Sequence, residues 1–186
     1  MMFLAAVLVI VSVMSTSAQQ SALCKPPSFT ARNLGVSTSG FQLAGAVDLY
    51  NDADGQLSLS EDRMGGKWSM YDGNDLKLYI YDPTDGCTVW DMTSAWDALN
   101  DEISKNGQLL ASYALSNNAG SYDAYYYTNG NITMRGLYDS NCLAVVSTVN
   151  IDGVPASMSI LTNVVIDNPD LSQISARQQE AAFICN

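Results

Sequence analysis

Histidine is absent from the 186-residue sequence, and basic residues are few. Without histidine, the chain has no Ser-His-Asp or Cys-His nucleophile system, no histidine-ligated zinc and no histidine pH switch. Lys and Arg number 8 against 19 Asp and Glu, a net charge of −11. Such an acidic chain is a poor partner for nucleic acid or acidic membranes. Because no acid–base motif stands out either, the sequence predicts a protein that is not an enzyme and requires no cofactor, with calcium as the one ion to consider.

Long apolar stretches are missing except at the start of the chain. Residues 1–18 hold an apolar run followed by small residues, with Thr16 and Ala18 in the positions that signal peptidase recognises. The run is shorter than the roughly 20 apolar residues of a membrane span, so a membrane anchor is the weaker alternative. We therefore expect a signal peptide at 1–18, cleaved after Ala18 or near Ala22, and a secreted single domain at 19–186. No internal repeat, linker, second domain or later membrane span is evident.

Cysteine is limited to four residues: Cys24, Cys87, Cys142 and Cys185. An even number in an oxidising compartment indicates two disulfides, but the spacing leaves all three pairings open. No Cys-x-x-Cys pair is present, which argues against a redox motif or a zinc knuckle.

Alternation of apolar and polar residues runs through the body of the chain and is typical of half-buried antiparallel strands. Turn dipeptides separate the alternating segments: Asp54-Gly55, Asp72-Gly73, Asp85-Gly86, Asn129-Gly130 and Asp152-Gly153. A short helix is possible at 94–100. A longer one is predicted at 169–183, with Asn168 as N-cap, Pro169 in the first turn and Cys185 facing the body.

Acidic side chains are concentrated between residues 48 and 102, where 13 acidic residues stand against Arg63, Lys67 and Lys77. Within this segment Asp52, Asp54 and Glu61 fit positions 3, 5 and 12 of a calcium loop, with Gly55 at position 6. Position 1 is Tyr50 instead of Asp, and the flanks alternate like strands. The segment therefore predicts either a weak calcium site or a plain Asp-Gly hairpin turn.

Two further features suit an extracellular protein. Asn131-Ile-Thr133 is the one sequon and predicts N-glycosylation at Asn131. Tyrosines at 122 and 125–127, together with three scattered tryptophans, predict either an aromatic core or the lining of a ligand cavity.

Residues 85–99 (DGCTVWDMTSAWDAL) resemble the central signature of the ependymin family, in which a cysteine precedes a Trp-Asp-rich segment. Three further segments follow the family's order: CKPPSF at 24–29, DSNCL at 139–143, and the cysteine at 185. The resemblance covers most of the mature chain. Two cysteines of the six-cysteine members are missing here, which is consistent with the loss of one whole bridge, and the predicted helix replaces the family's Pro-rich step before the terminal cysteine.

The resemblance implies two stacked, curved antiparallel sheets that form a half-open barrel, similar to bacterial lipoprotein carriers. It also implies the disulfides Cys24–Cys142 and Cys87–Cys185, a homodimer, and an apolar pocket for a lipid-like ligand. The expected function is that of a secreted extracellular-matrix or fluid glycoprotein that binds calcium weakly, with roles in cell–matrix adhesion or in a shell's organic matrix. The alternative is a carrier of a hydrophobic ligand held between the sheets.

Overall fold

The computed structural model describes residues 25–36, 43–62, 64–92, 103, 105–114 and 120–185. The predicted signal peptide at 1–18, Cys24 and the predicted short helix at 94–100 lie outside these residues.

Strands dominate the described part of the chain, and one helix follows them near the C-terminus. The strands are β1 (Phe29–Val36), β2 (Leu43–Asp52), β3 (Leu57–Asp62), β4 (Lys67–Asp72), β5 (Lys77–Asp82), β6 (Gly86–Asp91), β7 (Gln108–Ala114), β8 (Ser121–Asn129), β9 (Ile132–Asp139), β10 (Ala144–Ile151) and β11 (Val154–Val165), and the helix is α1 (Ser172–Ile184).

The strands form one antiparallel sheet in the order β6-β5-β4-β3-β2-β1-β11-β10-β9-β8-β7. Strands β6 and β7 are its two edges and do not pair with each other, so the sheet is not closed. The mainly β class and the C-terminal helix are confirmed. The two sheets expected from the resemblance are joined into one. Strands β1 to β6 form one meander and β7 to β11 form the other, and the pairing of β1 with β11 links them. An open sheet of this kind is consistent with a half-open barrel.

The predicted turn dipeptides all lie at strand connections. They join β2 to β3, β4 to β5, β5 to β6, β8 to β9 and β10 to β11. Gly86, Gly130 and Gly153 have positive φ angles, between 59° and 80°, which glycine adopts at little cost. The turn chemistry therefore located these five hairpins correctly from sequence.

A repeat of ten residues shapes the β2–β6 meander, although no internal repeat was expected from the sequence. Each of its four turns follows an aspartate, at 52, 62, 72 and 82, whose Oδ1 accepts a backbone N–H two or three residues further on at 2.9–3.4 Å. Four residues after each aspartate the backbone is left-handed, at Gln56, Gly66, Leu76 and Gly86. Each aspartate thus closes its turn in the manner of an Asx turn. Leu76 is a turn residue, although its spacing from Leu78 is that of residues on one face of a strand.

The two faces of the meander differ sharply in composition. We call the side toward α1 the helix face and the opposite side the far face. On the helix face, Tyr50 lies opposite Leu59 and Leu59 lies opposite Met70. On the far face, Leu49 lies opposite Ser60 and Ser60 lies opposite Ser69. Large apolar residues therefore lie under the helix, whereas serines run across the other side.

Helix α1 covers the helix face with an apolar side. Ile174 and Ala181 are buried, and Leu171 and Cys185 pack against the same cluster, which confirms the predicted orientation of Cys185. The cluster's strand residues are Tyr50, Leu57, Leu59, Trp68, Met70, Tyr79 and Tyr81. Among the described residues, no helix is both long and apolar enough to cross a bilayer.

The start of α1 differs from the prediction. Asn168 has a φ of 55°, whereas an N-cap residue needs an extended backbone, so Asn168 is not the cap. The helix begins at Ser172, with Leu171 at the N-cap position and no side-chain cap bond. Asp170 Oδ1 accepts the Ser172 backbone N–H at 3.0 Å, and this bond lowers the pKa of Asp170.

A second cluster lies in the other half of the sheet. Ile103, Tyr125, Tyr127 and Tyr138 are its buried members. The rings of Tyr125 and Tyr138 meet edge to face at 5.7 Å, and burial raises the pKa of the Tyr138 phenol. These tyrosines of β8 and β9 fill a core, one of the two roles predicted for the aromatic run.

The disulfide Cys87–Cys185 joins edge strand β6 to the end of α1, with the two Cα atoms 5.2 Å apart. It is one of the two pairs implied by the ependymin resemblance. Because it closes a loop of 98 residues, the chain-entropy model gives it about 4–5 kcal/mol of stabilisation. Cys142 is disulfide-bonded as well, and Cys24, its expected partner, lies outside the described residues.

Replacement of Met70, which is 1% exposed beneath α1, should be costly. We expect Met70→Ala to lower the free energy of unfolding by about 2–5 kcal/mol, because it leaves a cavity between sheet and helix. The matched control is Met64→Ala, since Met64 is fully exposed and its loss should change stability by less than about 0.5 kcal/mol. Urea denaturation measures both variants, and equal effects would contradict the proposed core.

Candidate ligand groove on the far face

The predicted calcium residues do not form one site. Asp52 and Asp54 lie at the β2–β3 turn, where Asp52 Oδ1 accepts the Gly55 backbone N–H at 3.0 Å. Glu61 lies four residues beyond Leu57, the partner of Asp52, which places it about 13 Å away along the strand. In the described part of the chain no group of three or more acidic or cysteine side chains is arranged to hold a metal. The segment forms a hairpin turn, and it does not bring Asp52, Asp54 and Glu61 together at one point.

Glu61 is buried on the helix face instead. It lies directly opposite Asp48, and the two residues are 6% and 8% exposed. Two carboxylates in this position repel each other. Arg177 of α1 binds Glu61, while Arg32 Nε donates to Asp48 Oδ1 at 2.8 Å. Each buried carboxylate is thus neutralised by its own guanidinium, and one of these pairs ties the helix to β3.

Asn131, the predicted glycosylation site, lies at the β8–β9 turn. Its side chain is exposed, and its backbone carbonyl accepts the Asp152 N–H of the neighbouring β10–β11 turn at 2.9 Å. The site is therefore accessible to a glycan at one end of the sheet.

A cavity of about 240 Å³ lies on the far face, near the β2–β3 and β4–β5 turns. Its apolar lining includes Phe29, Leu49 and Leu78, with Tyr71 beside them. Cross-strand pairing builds this lining, since Asn51, Ser58, Tyr71 and Leu78 follow one another across β2 to β5. The strands therefore bring together residues that lie far apart in the sequence.

A second cavity, also about 240 Å³, adjoins the first. The two share Ser60 and Ser69 in their linings, so they are neighbouring parts of one groove. The second part is more polar, with Asp62, Lys67 and Asp82 at its outer end. Small-molecule sites commonly have about 300–1,000 Å³, a range that the two parts reach together. We call them the apolar part and the acidic part of the groove.

Asn51 is the unusual residue of the apolar part. Its side chain is 2% exposed and its Nδ2 donates to the Pro27 carbonyl at 2.8 Å. Its Oδ1 is buried without a hydrogen-bond donor from any described residue. Buried amide oxygens nearly always have a donor, so this atom calls for an explanation. No sequence motif pointed to Asn51. Its position in the alternating pattern could have indicated it, because Asn51 follows Val47 and Leu49 at intervals of two and therefore shares their face of the strand.

Lys67 and Asp82 form an ion pair in the acidic part, with Nζ and Oδ2 2.5 Å apart. The hydrogen bond from Lys67 and a second from the Thr84 backbone lower the pKa of Asp82. The same bond to Asp82 raises the pKa of Lys67. The one lysine of the groove lining is therefore occupied by a neighbouring carboxylate.

No protein-family model matches the chain, and no curated protein matches it. Among solved structures, the chain is similar to an uncharacterized conserved protein from Thermus thermophilus, with a TM-score of 0.54 and 9% sequence identity. The match covers 81% of this chain and 85% of that chain. At this identity the likeness shows the fold alone. The ependymin resemblance stays an interpretation of the sequence motifs.

Removal of the Lys67 ammonium should be visible in the titration of Asp82. Because the pKa of Asp82 is lowered in the folded protein, its contribution to stability is present above the unfolded value of about 4 and is lost as pH falls through the folded value. In Lys67→Met we expect the pKa of Asp82 to rise toward its ordinary value, measured by NMR of the side-chain carboxyl. Lys77→Met, on the helix face of β5, is the control and should leave Asp82 unchanged.

Proposed function

We propose that the protein is a secreted carrier that binds a small lipid-like molecule in the far-face groove. The observation that carries this proposal is the cavity lined by Phe29, Leu49 and Leu78. Apolar side chains that line a hollow remain in contact with water until a ligand fills it, and covering them is favourable. The ependymin resemblance supports the same kind of ligand.

The size of the groove limits the ligand and its affinity. A buried methylene contributes about 0.8 kcal/mol, and a micromolar dissociation constant requires about 8 kcal/mol. About ten buried carbons would supply that amount before the costs of association are subtracted. We therefore expect medium-length aliphatic ligands with affinities in the micromolar range or weaker.

The buried carboxylates Asp48 and Glu61 do not favour a catalytic role. Each is bound by an arginine, and the pair lies on the helix face. The Arg177–Glu61 pair accounts for the attachment of α1, and neither carboxylate needs a role in general acid–base catalysis to explain its burial. We therefore propose a binding function and no enzyme activity.

Blocking the groove tests the carrier function. Ser60 lines both parts, so Ser60→Leu should obstruct them together and weaken the binding of the neutral apolar dye Nile red at least about tenfold, measured by fluorescence titration. Ser157→Leu is the matched control, because Ser157 is an exposed strand serine outside both linings. Native mass spectrometry of the purified protein should show a bound lipid that solvent extraction removes. Unchanged dye binding in Ser60→Leu would argue against the groove as the site.

Secretion and glycosylation are the second part of the proposal. Expressed in a eukaryotic secretory host, the full chain should appear in the medium without residues 1–18 and with an N-glycan. Asn131→Gln should remove the glycan, whereas Asn129→Gln on the same hairpin should retain it, as measured by intact mass before and after glycosidase treatment. Retention of the protein inside the cells would contradict the signal peptide.

Weak calcium binding by the acidic turns, homodimer formation, and a role in cell–matrix adhesion or in shell matrix stay predictions of the sequence. The β2–β3 and β4–β5 turns touch each other, since Asn74 Nδ2 donates to the Gly55 carbonyl at 2.8 Å. That contact places the aspartates of both turns at one end of the sheet. It is where a diffuse association with cations would occur.

A further inference from the structure

Resting on the proposed glycosylation of Asn131, we infer that the N-glycan covers an exposed aliphatic row formed by Ile132, Ile151 and Val154. The core sugars of the glycan lie across this row and shield it from water. The row is thereby closed to other molecules.

The aliphatic row crosses three strand ends beside two hairpin turns. Ile132 at the start of β9 lies opposite Ile151 at the end of β10, and Ile151 lies opposite Val154 at the start of β11. Residues paired in this way share one face of a sheet, with Cβ atoms about 4.5–5.5 Å apart. The three side chains are between 40% and 64% exposed. Contiguous exposed apolar side chains indicate a contact surface more strongly than scattered ones do.

The glycosylation sequon begins directly beside the row. Only Gly130 and Asn131 separate β8 from β9, and Ile132 is the middle residue of the sequon. The Asn131 carbonyl accepts the Asp152 N–H at 2.9 Å, which holds the β8–β9 turn against the β10–β11 turn. Because neighbouring strands are about 4.8 Å apart, the whole row lies within about 10 Å of its first member. The core sugars of a glycan on Asn131 can reach across that distance.

The two faces of these hairpin tips differ in what a sugar would cover. On the face opposite the row, Thr133 lies opposite Thr128 and Asn150, which are polar and remain hydrated without a cover. N-acetylglucosamine carries C–H groups on the faces of its ring and a methyl group on its acetamide. It can therefore cover aliphatic side chains while its hydroxyls stay in water, and the removal of apolar surface from water is favourable.

The glycan also has an advantage over any other occupant of the row. It is attached to the same chain, so its contact with the row is intramolecular and does not require high intrinsic affinity. A bulky, hydrated glycan at Asn131 hinders the approach of a protein or a membrane to the neighbouring side chains. The net charge of −11 further opposes binding to acidic membranes.

NMR of the secreted glycoprotein, with labelled isoleucine and valine methyl groups, measures the contact directly. We expect nuclear Overhauser effects from the core N-acetylglucosamine protons to the methyl groups of Ile132, Ile151 and Val154. Val164 and Val165 are the matched controls, because both are exposed at the other end of β11, and they should show none. Trimming the glycan to its first sugar with an endoglycosidase should remove the effects at Val154 and retain those at Ile132.

Unfolding temperatures test the same contact independently. Asn131→Gln removes the glycan and should lower the unfolding temperature of the otherwise wild-type protein by about 2–4 °C. In a chain that also carries Ile151→Thr and Val154→Thr, the same change should lower it by less than about 1 °C, because the aliphatic row is gone. Neither of these residues belongs to the sequon, so the background chain retains its glycan. Val165→Thr is the control background and should retain the full loss.

The outcomes separate this inference from the proposed glycosylation. A secreted chain without a glycan at Asn131 removes both. A glycoprotein whose sugars do not contact the row, or whose loss on Asn131→Gln is equal in all backgrounds, overturns the inference and leaves the glycosylation in place. Shifts of the row's methyl signals that disappear on dilution would assign the row to a second copy of the chain. Shifts that require added phosphatidylcholine vesicles would assign it to a membrane surface, and either result overturns the inference.

Discussion

The attachment of α1 to the helix face is the constraint on which the N-terminal half of the sheet depends. Trp68 and Met70 would be open to water without the helix, and the buried Glu61 would face Asp48 without Arg177. Apolar contact, an ion pair and a disulfide act on the same helix at different points along its length. Because α1 covers the helix face of these strands, their far face can remain open as a groove.

Local chemistry made much of this fold predictable. Turn dipeptides marked five hairpins correctly, and period-two alternation identified most of the strands. The C-terminal helix was predicted with Cys185 facing the body, and Ile174 and Ala181 are buried in the same cluster. The start of the helix was not predicted correctly. Asn168 has a left-handed backbone, which depends on the path of the chain out of β11 and not on the capping preference of asparagine.

The ten-residue repeat escaped notice for a geometric reason. From β2 to β5 a residue and its counterpart ten places on lie on opposite faces: Tyr50 is on the helix face and Ser60 on the far face. Turn chemistry therefore recurs every ten residues, while the apolar pattern recurs every twenty, as from Tyr50 to Met70 and from Leu59 to Tyr79. The groove could not be predicted from the sequence either, because its lining residues come from several strands. The contact between Glu61 and Arg177 could not be predicted, because the two residues are 116 positions apart in the sequence.

The alternation between faces also limits how such a meander can evolve. Duplication or deletion of a single ten-residue unit would reverse the direction of every later strand in it and send the chain out at the opposite end of the sheet. It would also turn the side chain at position 87 toward the far face, beyond the reach of Cys185. Strands in this region can be gained or lost only in pairs, so the natural unit of inheritance is the hairpin and not the strand.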